Sequence, residues 1–241
     1  MAGETIKTAG MVLDIRPWSR TSHIVTWLTP ERGPVATLIK GAVRPKSAFL
    51  GQYDLFYTCE LVYYIRARGE LHAVREAFPV EPREYLRGRF RATVLASYAS
   101  YLVKEHCPHS SEASLWFDFL RDFLDGLDGN VDFERKMISL ETAFLELAGL
   151  APDFSDADFS VATMPFSIDL GRVGTGAKTV QLPAGAVRIL VGEGDVPATS
   201  ADVAAAVRFL GLFIRYHLDM PPDIRRNTLQ VGTASVTPLL F

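Results

Sequence analysis

Residues Leu55 to Phe78 read LFYTCELVYYIRARGELHAVREAF. In the first half Leu55, Tyr57, Cys59, Leu61, Tyr63 and Ile65 alternate with Phe56, Thr58, Glu60, Val62 and Tyr64. A period of two belongs to a strand, because successive side chains leave opposite faces of the backbone. The first set reads as a core face and the second as a mixed aromatic and polar one. RARGE, Arg66 to Glu70, is a turn signal, and ELHAVREAF after it is a second strand-like run.

The same texture extends back to the N-terminus. AGMVLDIRPW, HIVTWLT and PVATLIK are short runs rich in β-branched, leucine and aromatic residues, separated by PERGP (Pro30 to Pro34) and by TLIKGAVRPKSAFLG (Thr37 to Gly51). No helical pattern in residues 1–80 is long enough to cover an open sheet, so five strands are expected to close on themselves. An OB-type barrel fits, and an SH3-like barrel fits the pattern as well.

At Pro79 to Pro82 the period changes. Leu86, Phe90, Val94, Ser97, Tyr101 and Val103 recur at helical spacing up to Pro108. SSEASLWFDFLRDFLDGL and DFERKMISLETAFLELAGL repeat the pattern, and TSADVAAAVRFLGLFIRYHL makes a fourth helix with Thr199 and Asp202 in capping-box spacing. The expected fold is α+β and multidomain. A closed five-stranded barrel over 1–80, OB-type or SH3-like, precedes an all-α helical bundle over 81–241, with a small irregular or β insertion at about 151–197 and a short helical turn after MPPD.

The 241 residues are 48% hydrophobic and 22% charged, the composition of an ordinary folded protein. No run reaches the roughly eighteen apolar residues of a membrane span, and MAGETIKTAG lacks the apolar core of a signal peptide, so a cytoplasmic protein without membrane contact is expected. Two cysteines, Cys59 and Cys107, form no disulfide framework and read as reduced, buried thiols.

The formal charge of −3 is unevenly spread. Residues 1–80 hold ten Lys/Arg against seven Asp/Glu, whereas residues 81–241 hold fifteen against twenty-one. Between residues 16 and 46, Arg16, Arg20, Arg32, Lys40, Arg44 and Lys46 face Glu31 alone. Such a cluster attracts a polyanion even on a net-acidic chain. Arg16, Arg20, Lys40, Arg44 and Lys46 are therefore candidates for phosphate, on a loop that reads as flexible. Trp18, Phe49, Tyr53 and Phe56 are candidates for stacking on bases, with Trp18 and Tyr53 foremost.

Other patterns carry less. GRVGTGAKT (Gly171 to Thr179) resembles a phosphate loop, but Ala177 and Arg172 stand where that pattern needs glycine, so it reads as a β-turn loop. His106, Cys107 and His109 cluster at a helix end with no second ligand group, and no catalytic constellation is visible. Most of the twelve acids between Glu112 and Asp158 read as solvated helix faces.

Met11 to Ser47 resembles the opening of the bacterial recombination mediator family RecO: a first strand, a T-x-x-x-G hairpin at Thr29 and Gly33, then Lys40, Gly41 and Ala42 running into a basic loop with Arg44, Lys46 and Ser47. IRYHLDMPPDIRRNTL resembles the closing segment of that family. The resemblance implies an N-terminal OB domain, a C-terminal helical domain and a DNA repair protein without enzymatic turnover. It also implies binding of single- and double-stranded DNA, annealing of complementary strands, association with RecR, recognition of the acidic tail of single-strand binding protein, and help in loading RecA. Many members carry a four-cysteine zinc ribbon after the third main helix. Here Asp156, Ala157, Asp158 and Phe159 stand where its first pair would fall and no cysteine follows through Pro197, so neither metal nor cofactor is expected. Phe159, Met164, Phe166, Ile168, Val180 and Leu182 are the apolar groups that could hold a hairpin together in place of zinc.

An alternative reading makes the chain a protein-interaction adaptor that binds peptide tails with little direct DNA contact. An acidic tail with an apolar end needs a hydrophobic pocket rimmed by cations, for which Arg121, Arg208, Arg215, Arg225 and Arg226 are the candidates.

Overall fold

β1 (Thr5–Ser19) is long because it serves two neighbours. Its first half pairs with β4 (Thr58–Tyr64), from Thr5↔Tyr64 to Met11↔Thr58, and its second half with β2 (Ser22–Thr29), from Met11↔Leu28 to Ser19↔Ser22. Register shifts at Val12/Asp14 and Pro17/Ser19 bend it between the two, the second at a proline that cannot donate to a ladder. β3 (Gly33–Ile39) pairs with β2, and β5 (Leu71–Glu81) pairs antiparallel with β4 and parallel with β3 at Ala36–Leu38, closing the order β1-β2-β3-β5-β4. This is the five-stranded closed barrel of an OB-like domain. The computed structural model describes residues 4–66, 69–110, 112–193 and 198–233.

Val12, Val25, Trp27, Ile39, Cys59, Leu61 and Tyr63 fill the barrel and have no solvent exposure. Trp27 Nε1 donates to Thr37 Oγ1 at 2.7 Å, and that hydroxyl donates to the Val25 carbonyl at 3.3 Å, so the polar atoms of this pair are satisfied. Burial pushes the Cys59 thiol up to about 12, and that of Cys107 likewise, leaving both protonated at neutral pH. The expected alternation holds from Cys59 to Tyr64; before it Tyr57 and Thr58 are both buried. Phe56 is buried at φ 68, in the left-handed region, and Leu55 is exposed. That residue swaps the faces, so the strand begins only at Thr58.

Helices complete the barrel. Arg83 turns the chain out of β5 at φ 43, and its buried guanidinium donates to the Phe56 carbonyl (2.9 Å), Thr58 Oγ1 (2.8 Å), Glu81 (2.9 Å) and Asp125 (2.7 Å). α1 (Phe90–His106) packs on β1, and α2 (Ala113–Asp125), which buries Trp116, Phe117, Leu120 and Leu124, packs on β2 and β3. The chain accordingly divides into two compact units at Gly129/Asn130, with these two helices grouped with the barrel.

The second unit is built on α3 (Phe133–Leu147), capped by Asp132, and α5 (Ser200–His217), which starts in the expected Thr199–Asp202 capping box. Between them lies a three-stranded sheet, β6 (Thr163–Ser167) flanked by β7 (Arg172–Val173) and β8 (Thr179–Pro183), followed by α4 (Ala184–Leu190). The expected irregular or β insertion is thus a sheet with a short helix, which no capping residue announces: Pro183 stands at its N-cap. Phe166 packs edge-on to Phe209 at 4.9 Å and lies 5.1 Å from Phe154, with Phe213 beyond it, so an aromatic cluster joins the sheet to α5. Met164, Ile168 and Leu182 are buried beside it, while Phe159 and Val180 are half-buried.

The segment after MPPD is longer than a turn: α6 (Pro222–Thr233) runs twelve residues. Among the described residues no helix is long and apolar enough to cross a membrane.

Candidate nucleic-acid interface and a cationic groove

The basic loop leaves β3 as four successive turns, Gly41–Arg44, Arg44–Ser47, Ser47–Leu50 and Phe49–Gln52, each closed by a backbone hydrogen bond of 2.9–3.3 Å. Ala42 is buried, and Phe49 and Tyr53 pack on the barrel core. The loop read as flexible is therefore folded against the barrel. It is also tied to the β1–β2 turn, through Val43 N–H to the Thr21 carbonyl (3.4 Å) and Gly41 N–H to Ser22 Oγ (3.3 Å).

Where these two loops meet, Trp18, Lys40 and Arg44 line one pocket of about 400 Å³ together with Ser19, Thr21, Ser22, Leu38 and Gly41. Trp18 is 61% exposed, and Lys40 and Arg44 are exposed beside it. Gly41 sits at φ 67, and the space a Cβ would take there lies 3.2 Å from Cδ of Arg44. The missing side chain lets Arg44 fold back over its own turn, in the pocket that Trp18 also lines. An open aromatic ring, two cations and a rim of hydroxyls form a surface on which a base can stack while its phosphate is neutralised.

The remaining candidates are placed less directly. Arg16 is exposed and meets Asp14 at 3.3 Å, Arg20 is exposed in the β1–β2 turn, and Lys46 is exposed further along the loop without lining the pocket. Tyr53 is half-buried, with its hydroxyl 2.8 Å from His23 Nδ1 and its ring against Trp27. Desolvation raises its pKa to about 12. Phe56 is buried, which leaves Trp18 the most open of the four candidate aromatics. Ser19, Thr21 and Ser22 do not stand out in the sequence; the hydroxyl-rich turn SRTS is the signal that could have found them.

In the second unit, Arg208, Arg215, Arg225 and Arg226 line one pocket of about 440 Å³ between α5 and α6, together with the apolar Leu212, Ile214, Met220 and Leu229. The four cations are not equivalent. Arg225 forms a bidentate pair with the buried Glu141 of α3, Nε–Oε1 2.7 Å and Nη2–Oε2 2.8 Å, and also donates to the Val207 carbonyl at 2.8 Å. Its charge serves to hold α6 in place. Arg226 pairs with Asp223, one turn away. Arg208 and Arg215 are exposed on α5. Arg121 belongs to α2 in the first unit, where Asp118 (2.7 Å) and Asp122 (2.9 Å) compensate it.

The first 83 residues match the family model described as Recombination protein O N terminal. Over most of its length the chain is also similar to proteins named DNA repair protein RecO. It is 25% identical to that of Anaeromyxobacter sp. (strain K) over 252 residues, covering 95% of this chain and 98% of the relative. It is 28% identical to that of Alteromonas mediterranea over 193 residues, 78% of this chain and 77% of the relative. The chain is similar to RecO proteins along its length, and its first 83 residues match their N-terminal domain.

The barrel gives physical content to the RecO-like opening. Thr29, buried at the end of β2, donates its hydroxyl to the Gly33 carbonyl at 3.0 Å and closes the T-x-x-x-G hairpin. Lys40-Gly41-Ala42 is the step at which β3 ends, with Ala42 fixed in the core and Lys40 outside. Residues 151–197 contain neither cysteine nor histidine, so they offer none of the thiolate or imidazole ligands of a zinc ribbon. The glycine-rich loop GRVGTGAKT is organised by a carboxylate of the chain itself. Asp169 accepts from the backbone N–H groups of Ala177 (3.1 Å) and Lys178 (2.8 Å), and from the Ser167 hydroxyl (2.8 Å). It occupies those donors as an anion would.

Proposed function

We propose that the chain is a recombination mediator of DNA repair that works by binding and handing over strands, without catalytic turnover. The barrel takes single- or double-stranded DNA at the pocket of Trp18, Lys40 and Arg44, with Arg20 and Lys46 extending the cationic surface. The α5/α6 pocket takes the acidic, apolar-ended tail of single-strand binding protein, with Arg208 and Arg215 at its rim and Met220 and Leu229 among its apolar lining. Together with RecR, these two activities serve annealing and the loading of RecA on covered single strands. The names of the relatives support the repair role. The convergence of an exposed tryptophan with two loop cations carries the assignment of the DNA site.

Titration of labelled single-stranded DNA at several salt concentrations tests the reading. Alanine at Lys40 and Arg44 together should weaken binding and make the dependence of log K on log salt shallower, by about 0.7 for each phosphate that is no longer neutralised. Trp18→Ala should cost about 1–3 kcal/mol through lost stacking, with the slope unchanged. A slope that stays the same in the double variant means that these cations do not meet phosphate. Tight binding of the tail peptide without any binding of DNA would leave the adaptor reading in its place.

A further inference from the structure

Arg208, Leu212, Arg215 and Tyr216 follow one another at helical spacing on α5 and form an exposed ridge, with Leu212 51% and Tyr216 44% exposed. On one side of the ridge lies the α5/α6 pocket. On the other lies a second hollow of about 390 Å³, whose far wall is Ile168, Lys178, Thr179 and Val180 from the three-stranded sheet. Leu212 and Arg215 line both hollows, so the two are continuous across the helix. Among the described residues no carboxylate lines either one. Lys178 stands with Nζ 4.3 Å from the centroid of the Tyr216 ring, and its backbone is held by Asp169. A cation fixed over an aromatic face beside an apolar wall is prepared for an acidic chain that carries apolar side chains.

We propose that this second hollow is a subsite for an acidic peptide, continuous with the α5/α6 pocket. The inference rests on the reading of that pocket as the seat of an apolar peptide end. The peptide then crosses α5 over Leu212, sets a carboxylate against Arg215, and lays its upstream acidic residues against Lys178 with an apolar side chain on Ile168, Val180 and Tyr216. A helix is about 10 Å across, which an extended chain spans in about three residues. The subsite therefore distinguishes long acidic tails from short ones that share the same apolar end.

The test uses two labelled acidic peptides with the same apolar C-terminal end, one of about five residues and one of about ten, titrated by anisotropy into the protein. The longer one should bind about three- to tenfold more tightly. Lys178→Ala and Tyr216→Ala should each draw its affinity toward that of the short peptide, and leave the short peptide and the melting temperature unchanged, because both side chains stand at the surface. Equal affinities of the two peptides for the unsubstituted protein, or a long peptide indifferent to both substitutions, overturn the subsite while the α5/α6 pocket stands. Failure of both peptides to bind overturns the pocket and the subsite together.

Discussion

Asp169 shows how one side chain settles a motif that the sequence leaves half-written. GRVGTGAKT has the glycines and the lysine of an anion-binding loop, and its backbone N–H groups do point at an anion, but the anion is the chain's own. Hydrogen bonds from the Lys178 N–H first, and from the Ser167 hydroxyl next, hold the Asp169 carboxyl below the usual carboxylate range. A depressed folded value means that the contribution is complete above the unfolded value of about 3.9 and fades as pH falls through the lower folded one. An NMR titration should therefore find Asp169 protonating below about 3.9, with the Lys178 amide shift following the same curve. An ordinary midpoint with an unmoved Lys178 amide contradicts the assignment. The spacing of the glycines was legible in the sequence; Asp169, two residues before the loop, was not, because nothing marks it apart from other surface acids. The DNA candidates divide in the same way. The charge of Lys40 and Arg44 is written in the sequence, but that Trp18 meets them while Tyr53 turns to His23 depends on how β1 and the loop fold.

At the scale of elements, α6 was the least legible part of the fold. Its sequence is polar and opens with proline, which gives no reason to extend a helix beyond a turn. What holds it is the Glu141–Arg225 pair, whose partners lie 84 positions apart and give no local signal. The same remoteness made Arg225 look like a free cation. α5 makes room for the crossing at Gly211, where a Cβ would stand 2.4 Å from Nη1 of Arg225, a guanidinium already fixed by three hydrogen bonds. Arg225→Ala leaves Glu141 buried without its cation and should destabilise the protein by about 3–5 kcal/mol, read as a lower denaturation midpoint. Gly211→Ala should also destabilise, although alanine is the better helix former by about 1 kcal/mol, because the new methyl displaces the guanidinium. A Gly211→Ala variant more stable than the original shows that Arg225 can move without cost. The insertion sheet was better legible, since four of the six apolar residues assigned to it are buried. The aromatic cluster with Phe154, Phe209 and Phe213 was not, because its members come from separate elements.

At the scale of the molecule, the five strands, their closure and the run of helices were readable from period and turn chemistry, whereas the compact units divide elsewhere than the change of period. The strand pattern ends near residue 80 and the matched family model at residue 83, whereas the first compact unit runs to Gly129. The difference lies on the outside of the barrel. Met11, Leu13, Leu28 and Leu38 are buried yet lie outside its inner cluster, and α1 and α2 are the helices packed on the strands that carry them. Uncovering four such side chains at roughly 1.5–3 kcal/mol each costs about as much as the whole net stability of a domain, about 5–15 kcal/mol. Loss of Asp125 would also take one of the two carboxylates from the buried Arg83. A fragment ending at Gly129 should therefore show dispersed amide resonances, melt cooperatively and bind single-stranded DNA with the salt slope of the full chain. A fragment ending at Arg83 keeps every strand of the barrel and the pocket of Trp18, Lys40 and Arg44, and should give collapsed spectra or aggregate. If the shorter fragment folds cooperatively and binds DNA equally well, the helices are accessory to the barrel and the limit at residue 80 is the physical one.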